Sequence, residues 1–301
     1  MSSNAPIVWH PALNLQAKSA SPAPSHSGHG FALIILNQAL KDLHTLKRLW
    51  WNASYRVAAD GGANRLYDSN RRLHSTGERY VQGTDALDNL DVIIGDLDSL
   101  SDTARRYFTQ ASPELQIIHD PDQYSTDFGK AVQHIRNSHV GRSIDIVAMG
   151  GLGGRVDQGL SQLHHLYAFQ TSPSYAEGRL FLVSGASLTF LLKAGSHRIH
   201  VRERDIGHAD GGRREAEEVF GQYVGIIPVK EPSVISTKGL EWDVEDWPTE
   251  MGRQVSTSNH VLPETEVVEV KTTADVLFTI SLKEKAEAEE KLPLSNTPLG
   301  R

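Results

Sequence analysis

The chain has 301 residues, no cysteine and a formal net charge of −7. Its length allows two domains with well-buried cores, and its composition is that of an ordinary globular protein. Without cysteine it has no disulfide or thiolate metal site, and its acidic charge argues against nucleic-acid binding. The longest apolar runs, such as FALIIL at 31–36, are too short to cross a bilayer. We therefore expect a cytoplasmic protein whose partner is a small molecule or a cation.

The first part of the chain predicts a tail followed by an α/β domain. Residues 1–30 are rich in Ser, Pro, Ala and Gly and lack a signal-peptide pattern, so we expect a disordered tail. Between residues 31 and 178, short β-branched runs such as FALIIL, YRVAAD and DVIIGD alternate with stretches of helical period. This order predicts a mostly parallel sheet with helices on both faces.

The second part of the chain changes in character. Short β-rich runs punctuated by Gly, Pro and Ser fill residues 179–283, with little helical period between them. They predict an all-β sandwich domain, and residues 284–301 read as a polar tail.

Four predicted strands of the first domain end in an acidic residue or a glycine pair. These endings are Asp60, Asp96, Asp120 and Gly150-Gly151. Ligands of open parallel sheets bind beyond the carboxyl ends of the strands, so we expect these residues to converge on one site.

The segment GDLD at 95–98 places two carboxylates two positions apart after a glycine. Mg²⁺ is held in proteins by one or two carboxylates together with substrate phosphates, so Asp96 and Asp98 suit half of such a site. The alternative is that both residues only form a turn and cap the helix that begins near Asp102.

Two further segments carry groups that suit phosphate. In DPDQYSTDFGKA at 120–131, Asp127 and Lys130 share one face at the start of a predicted helix, although Thr126 or Ser125 could simply cap it. In GGLGGRVDQ at 150–158, glycines allow close approach of a phosphate and Arg155 offers a planar fork. A plain tight turn is the alternative for the second segment.

Taken together, the motifs resemble those of a known family. In chain order, ILNQ (35–38), ADGGANRLYD (59–68), IGDLDSL (94–100), DPDQYSTDFGKA (120–131), GGRVDQ (153–158), TKGLEWDV (237–244) and STSN (256–259) resemble motifs of thiamine pyrophosphokinases of the eukaryotic type. The resemblance implies transfer of a pyrophosphoryl group from ATP to the hydroxyl of thiamine, giving thiamine diphosphate and AMP. It also implies Mg²⁺, an α/β domain followed by a β-sandwich, and a homodimer with active sites between the subunits.

The resemblance also implies roles for individual residues. The catalytic residues are Asp96, Asp98, Asp127 and Arg155, of which the three aspartates bind the metal. Nucleotide and phosphate binding is carried over to Asn37, Gln38, Asp60, Gly61, Gly62, Gln123, Thr126, Lys130, Asp157 and Gln158. Thiamine binding is carried over to Trp242, Ser256, Ser258 and Asn259. Either Asp98 or Asp127 accepts the proton of the thiamine hydroxyl.

Trp242 suits thiamine on physical grounds, because an indole offers a stacking surface and a cation–π face to a thiazolium ring. Core packing is the alternative for a single tryptophan. Two other functions use similar residues: a D-x-D glycosyltransferase that acts on a sugar nucleotide, and a regulator that binds thiamine or a nucleotide without turnover.

Overall fold

The computed structural model describes residues 5–16, 30–75, 86–203 and 217–283. Within these ranges there are five α-helices, and none of them has the length and apolar character that a membrane-spanning segment needs. The helices are α1 (Leu43–Asn52), α2 (Gly62–Ser75), α3 (Asp102–Ala111), α4 (Asp127–Ser138) and α5 (Val156–Phe169). The strands are β1 (Ile7–Trp9), β2 (Ala32–Ile35), β3 (Tyr55–Ala59), β4 (Val92–Gly95), β5 (Gln116–His119), β6 (Ile146–Met149), β7 (Leu180–Val183), β8 (Ser187–Leu192), β9 (Gly195–His200), β10 (Phe220–Ile227), β11 (Ser233–Lys238), β12 (Trp247–Thr249), β13 (Ser256–His260), β14 (Val267–Thr272) and β15 (Val276–Leu282).

Ten strands form one continuous sheet in the order β13-β10-β15-β8-β7-β6-β2-β3-β4-β5. The strands from β7 to β5 in this order are parallel to their neighbours, and those from β13 to β7 are antiparallel. Alternate residues of β2 enter two different cores, with Leu33 among residues of α1 to α3 and Ile34 among residues of α4 and α5. The predicted parallel sheet with helices on both faces is therefore confirmed.

A second sheet of five strands, in the order β1-β9-β14-β11-β12, covers the antiparallel half of the large sheet. Ile199 and Val268 of the small sheet lie in the same buried cluster as Phe190 and Phe278 of the large one. This packing of two sheets around shared apolar side chains is the predicted sandwich. The boundary expected near residue 178 does not interrupt the large sheet, because β7 pairs in parallel with β6.

The prediction of a disordered tail over residues 1–30 is wrong for residues 5–16. Strand β1 pairs in parallel with β9, with Trp9 opposite Ile199, and a short 3-10 helix follows at Pro11–Asn14. The composition of the thirty residues concealed the apolar β-forming triplet Ile7-Val8-Trp9. Residues 1–4 and 17–29 of that prediction lie outside the described ranges, as does the expected polar tail at 284–301.

Trp9 anchors this N-terminal segment between the two halves of the protein. Its side chain is fully buried, and its ring centroid lies 4.6 Å from that of Phe190. The indole nitrogen donates to Nδ1 of His197 at 3.0 Å, and the guanidinium carbon of Arg179 lies 4.4 Å from the ring centroid. The tryptophan thus contacts both the large sheet and the small one.

We expect Trp9→Ala to lower the free energy of unfolding by about 3–5 kcal/mol, because it removes a fully buried aromatic side chain. Urea denaturation monitored by circular dichroism measures the change. Val8→Ala, on the same strand but more exposed, should cost less than about 1 kcal/mol. Equal small effects of both variants would contradict the docking of this segment.

Candidate active site

The parallel strands bring the predicted site residues to one edge of the large sheet. Asp60 follows β3, Asp96 follows β4 and Asp120 follows β5, while β2 leads into Asn37 and Gln38. Since neighbouring parallel strands end on the same side, residues far apart in sequence meet there.

Three carboxylates at this edge lie close together. Asp60, Asp96 and Asp98 each offer an oxygen, and these oxygens lie within 4.8 Å of one another. Asp60 is buried, and its Oδ1 has no hydrogen-bond partner among the described residues. Its Oδ2 accepts from the Ser99 amide at 3.2 Å. A set of hard oxygen donors that includes a buried oxygen without a partner fits Mg²⁺.

The turn between Asp96 and Asp98 is not a helix cap. Helix α3 is capped by Ser101, whose hydroxyl accepts from the Ala104 amide at 3.2 Å. Asp98 instead donates its amide to Oδ1 of Asp96 at 3.2 Å, and Leu97 between them has a left-handed φ of 64°. The alternative interpretation of GDLD as a capping sequence is therefore wrong for Asp98.

Gly95 provides space that a side chain would fill. A Cβ at this position would lie 2.8 Å from Oδ1 of Asp127 and 2.8 Å from Cβ of Asp60. The absence of a side chain thus leaves room for Asp127 and Asp60 next to this end of β4. Asp127, predicted as a metal ligand, lies beside the three converging carboxylates, and its Oδ1 is 3.6 Å from the Lys130 ammonium.

The carboxylates differ in the ease with which they ionise. Burial raises the pKa of Asp60, and the charge of Asp98 adds to the effect. Burial also raises the pKa of Asp127, followed by the charges of Asp60 and Asp96. In contrast, the hydrogen bond from the Asp98 amide lowers the pKa of Asp96. A cation bound among these groups would favour their ionised forms and so oppose both the burial and the repulsion that raise the pKa values of Asp60 and Asp127.

The segment after β5 surrounds the cluster with polar groups. Gln123 donates its amide to Oδ2 of Asp96 at 3.3 Å. Lys130 is buried, and its ammonium donates to the Asp120 carbonyl at 2.8 Å. Thr126 caps α4 by accepting from the Gly129 amide at 3.1 Å, which confirms the capping interpretation of this residue.

His165 is a neighbour of this segment that the sequence did not single out. It is buried, and its Nε2 lies 2.8 Å from Oγ1 of Thr126. No local pattern marks it, because the contact joins α5 to the start of α4.

The glycine-rich turn before α5 lies next to the end of β2. A Cβ at Gly154, where φ is 66°, would lie 2.6 Å from Nε2 of Gln38. Arg155 donates to both carboxylate oxygens of Asp157, at 3.1 and 2.6 Å. Both side chains of this pair are well exposed, and so is Gln158 in the first turn of α5. The guanidinium therefore faces solvent, where a phosphate can reach it.

Glycines also allow tight packing at the start of α2. A Cβ at Gly61 would lie 2.3 Å from the side-chain amide nitrogen of Asn37, and one at Gly62 would lie 2.1 Å from the Ile35 carbonyl. The oxygen of the Asn37 amide accepts from Nε of Arg65 at 2.9 Å. These contacts hold the chain beyond β2 against the helix that follows Asp60.

The predicted thiamine-binding residues form a separate surface at β13. Trp242 is 55% exposed, and its ring centroid lies 5.0 Å from that of His260. Ser258 is exposed with a left-handed φ of 56°, and Ser256 is half-buried. We call Trp242, Ser256 and Ser258 the Trp242 surface.

Asn259 has a supporting position below this surface. It is buried, its Oδ1 accepts from the Trp242 amide at 3.1 Å, and its Nδ2 donates to the Trp242 carbonyl at 2.8 Å. The side chain expected to bind thiamine directly is thus engaged with the backbone of Trp242. Its geometry suits positioning of the indole instead.

One chain does not bring the Trp242 surface and the carboxylates together. Seven strand spacings separate β13 from β3 in the large sheet. At about 4.8 Å per spacing, this corresponds to roughly 30 Å along the sheet.

Comparison with known proteins agrees with the geometry of both regions. Residues 46–175 match the family described as thiamin pyrophosphokinase, catalytic domain, and residues 196–277 match thiamin pyrophosphokinase, vitamin B1 binding domain. The chain belongs to the thiamine pyrophosphokinase family. The resemblance of the sequence motifs to this family is confirmed.

Relatives over most of the chain support the same assignment. Thiamine pyrophosphokinase 3 of Oryza sativa subsp. japonica is 33% identical over 85% of this chain and 88% of its own length. Thiamine pyrophosphokinase of Saccharomyces cerevisiae is 30% identical over 75% of this chain and 78% of its own. The solved structure of thiamin pyrophosphokinase from Candida albicans has a TM-score of 0.70 at 25% identity, covering 94% of this chain and 95% of that one.

We expect Asp60→Asn to raise the free energy of unfolding at neutral pH, without divalent cations, by about 1 kcal/mol. Asparagine fits the left-handed φ of 43° at this position and removes a charge that burial disfavours. The gain should disappear as the pH falls below the ordinary pKa of an aspartate, because both proteins are then uncharged at this position.

Thermal unfolding in EDTA and in excess Mg²⁺ tests whether the charge of Asp60 lowers stability without a cation and contributes to cation binding. Mg²⁺ should raise the melting temperature of the wild type more than that of Asp60→Asn. Asp68→Asn, on the exposed side of α2, is the matched control and should behave as the wild type does. A loss of stability in Asp60→Asn without metal would contradict the account of the site.

Proposed function

We propose that this protein transfers the pyrophosphoryl group of ATP to the hydroxyl of thiamine, giving thiamine diphosphate and AMP. The observation that carries the proposal is the convergence of Asp60, Asp96 and Asp98 at the carboxyl edge of the sheet, in a chain whose relatives are named thiamine pyrophosphokinases. Transfer of a phosphoryl-type group needs alignment and neutralisation of charge more than covalent chemistry. Bound Mg²⁺, Lys130 and Arg155 would neutralise charge on the phosphates and align them.

Mg²⁺ is the metal that these residues suit. Asp60, Asp96 and Asp98 would hold it, with Asp127 beside them next to Gly95. When bound, the ion would supply positive charge to the phosphates of ATP. The buried Oδ1 of Asp60, which lacks a partner among the described residues, supports this assignment.

The protein's own cations complete the phosphate site. The ammonium of Lys130 is held close to Asp127, and α4 begins at Asp127, so the positive end of the helix dipole lies at the same edge. The guanidinium of Arg155 is exposed in its ion pair with Asp157, and it can donate the same two hydrogen bonds to a phosphate instead. The thiamine hydroxyl gives up its proton to a carboxylate, for which Asp98 and Asp127 are the candidates.

Thiamine would bind on the Trp242 surface. The exposed indole offers a face to the thiazolium ring, and the hydroxyls of Ser256 and Ser258 can hydrogen-bond the pyrimidine. Asn259 fixes the backbone that carries the indole.

A homodimer would unite the two regions. Because they lie at opposite ends of one sheet, a shared site needs the Trp242 surface of one copy against the carboxylates of another. Exposed apolar side chains lie in both regions: Tyr223 beside the Trp242 surface, and Val156 and Leu160 at the start of α5. A two-fold axis would make two equal sites from these surfaces.

The other two functions are not favoured. Membership of the thiamine pyrophosphokinase family argues against a D-x-D glycosyltransferase. The intact carboxylates and Arg155 argue against a regulator without turnover. The cytoplasmic location and the lack of nucleic-acid binding stay predictions.

A direct assay tests the proposed reaction. The purified protein is incubated with thiamine, ATP and Mg²⁺, and AMP and thiamine diphosphate are separated by chromatography. We expect equal amounts of both products, and none with EDTA or without thiamine. Binding of both ligands without products would favour a regulator, and failure to bind thiamine would refute the proposal.

Asp98→Asn should lower turnover by about a hundredfold or more, since it removes one charge from the carboxylate cluster and keeps the shape of the side chain. The rate of AMP formation at saturating Mg²⁺ measures the effect. Asp68→Asn serves again as the control and should keep full activity. Wild-type turnover in Asp98→Asn would remove this residue from the mechanism.

Trp242→Ala should raise the KM for thiamine by about tenfold or more through the loss of the stacking and cation–π face. The KM for ATP should change little, because the nucleotide would bind at the edge of the large sheet that carries Asp60, Asp96 and Asp98, which we call the carboxylate edge. Met251→Ala, at another exposed apolar side chain, controls for surface truncation. Equal increases for both substrates would indicate general damage to the fold.

A further inference from the structure

A second cluster of metal-ligating side chains lies away from the carboxylate edge. His10 follows β1, His200 ends β9, and Glu203 follows three residues later. Each offers one ligand atom, and these atoms lie within 4.8 Å of one another. We call these three residues the His10 cluster.

The fold brings these residues together from distant parts of the chain. Strand β1 pairs in parallel with β9, and Trp9 lies opposite Ile199. The next residues in this register are His10 and His200, whose ring centroids are 4.3 Å apart with an angle of 27° between the planes. Glu203 completes the set, with its Oε1 2.7 Å from Nδ1 of His10. The arrangement therefore depends on docking of the N-terminal segment.

The environment of Glu203 suits a bound cation. The side chain of Glu203 is only 12% exposed and that of His10 26% exposed. A carboxylate shielded from water needs a compensating charge. The described ion-pair partner of Glu203 is His10, which is charged only when protonated. A metal ion would supply that charge and still use both imidazoles in their neutral form.

We propose that His10, His200 and Glu203 bind one zinc ion, which fastens the N-terminal segment to the five-stranded sheet. Two imidazoles and one carboxylate are donors that Zn²⁺ accepts, with water in the fourth position. In a tetrahedral site with Zn–N distances of about 2.0 Å the ligand atoms lie roughly 3.3 Å apart. Rotation of the two stacked imidazole rings about their side-chain bonds would direct a nitrogen of each toward one ion.

The His10 cluster differs from the carboxylate edge in its donor atoms and in the part of the fold that a bound metal would stabilise. Asp60, Asp96 and Asp98 offer only oxygen atoms and suit Mg²⁺, whereas the His10 cluster offers nitrogen. Strand β1 has three residues and lies at the edge of its sheet. A bond through metal at its end would stabilise this short pairing, because a ligand that binds only the folded form raises stability.

Zinc titration of the full-length protein without an affinity tag tests the proposal. The metal-free protein, in excess Mg²⁺ to fill the carboxylate edge, competes for Zn²⁺ with a chromophoric chelator. We expect one zinc per chain, and a loss of affinity of about tenfold or more in His200→Ala and in Glu203→Gln. His164→Ala, at an exposed histidine of α5, should bind zinc as the wild type does.

Two further measurements distinguish loss of zinc binding from loss of the fold. Zinc should raise the melting temperature of the wild type and slow amide hydrogen exchange in β1, and both effects should be lost in His200→Ala. Glu203→Gln keeps the shape of the side chain and therefore separates loss of metal from loss of fold. The proposal is overturned if the protein binds no zinc against the chelator, or if all the variants bind it as tightly as the wild type.

Discussion

The continuous ten-stranded sheet is the constraint on which the rest of this structure depends. In its parallel half, β3 and β4 lead directly into Asp60 and Asp96. Its antiparallel half has β13 as the edge strand. Hydrogen bonding between neighbouring strands fixes the separation of these two regions, so no side-chain movement within one chain can close it. The fold thus places the proposed phosphate site and the proposed thiamine surface at opposite ends of the sheet, which is why we propose that a second copy of the chain joins them.

The carboxylate edge stores unfavourable interactions that ligand binding can release. Burial and neighbouring charges raise the pKa values of Asp60 and Asp127, and Gly95 gives both side chains the room to lie close together. Such an arrangement costs stability in the absence of a cation. Binding of Mg²⁺ there would offset this cost, because each carboxylate is attracted to the cation.

The sequence allowed prediction of the fold class, since strands and helices alternated clearly and glycines and aspartates marked the strand ends. It also identified Asp96 and Asp98, whose spacing is visible in four consecutive residues. It did not reveal Trp9, because a three-residue strand in a segment rich in Ser and Pro leaves little signal. Nor did it reveal His165 or the position of Asn259, because both depend on contacts between distant segments.

Complementation between two inactive chains tests the central claim most directly. Asp98→Asn and Trp242→Ala chains are produced together, purified as a mixed population and assayed at a thiamine concentration that leaves Trp242→Ala alone nearly inactive. If each site uses the carboxylates of one chain and the indole of its partner, random pairing restores about a quarter of the wild-type sites. Activity no greater than that of the two separate variants would contradict a site shared between subunits.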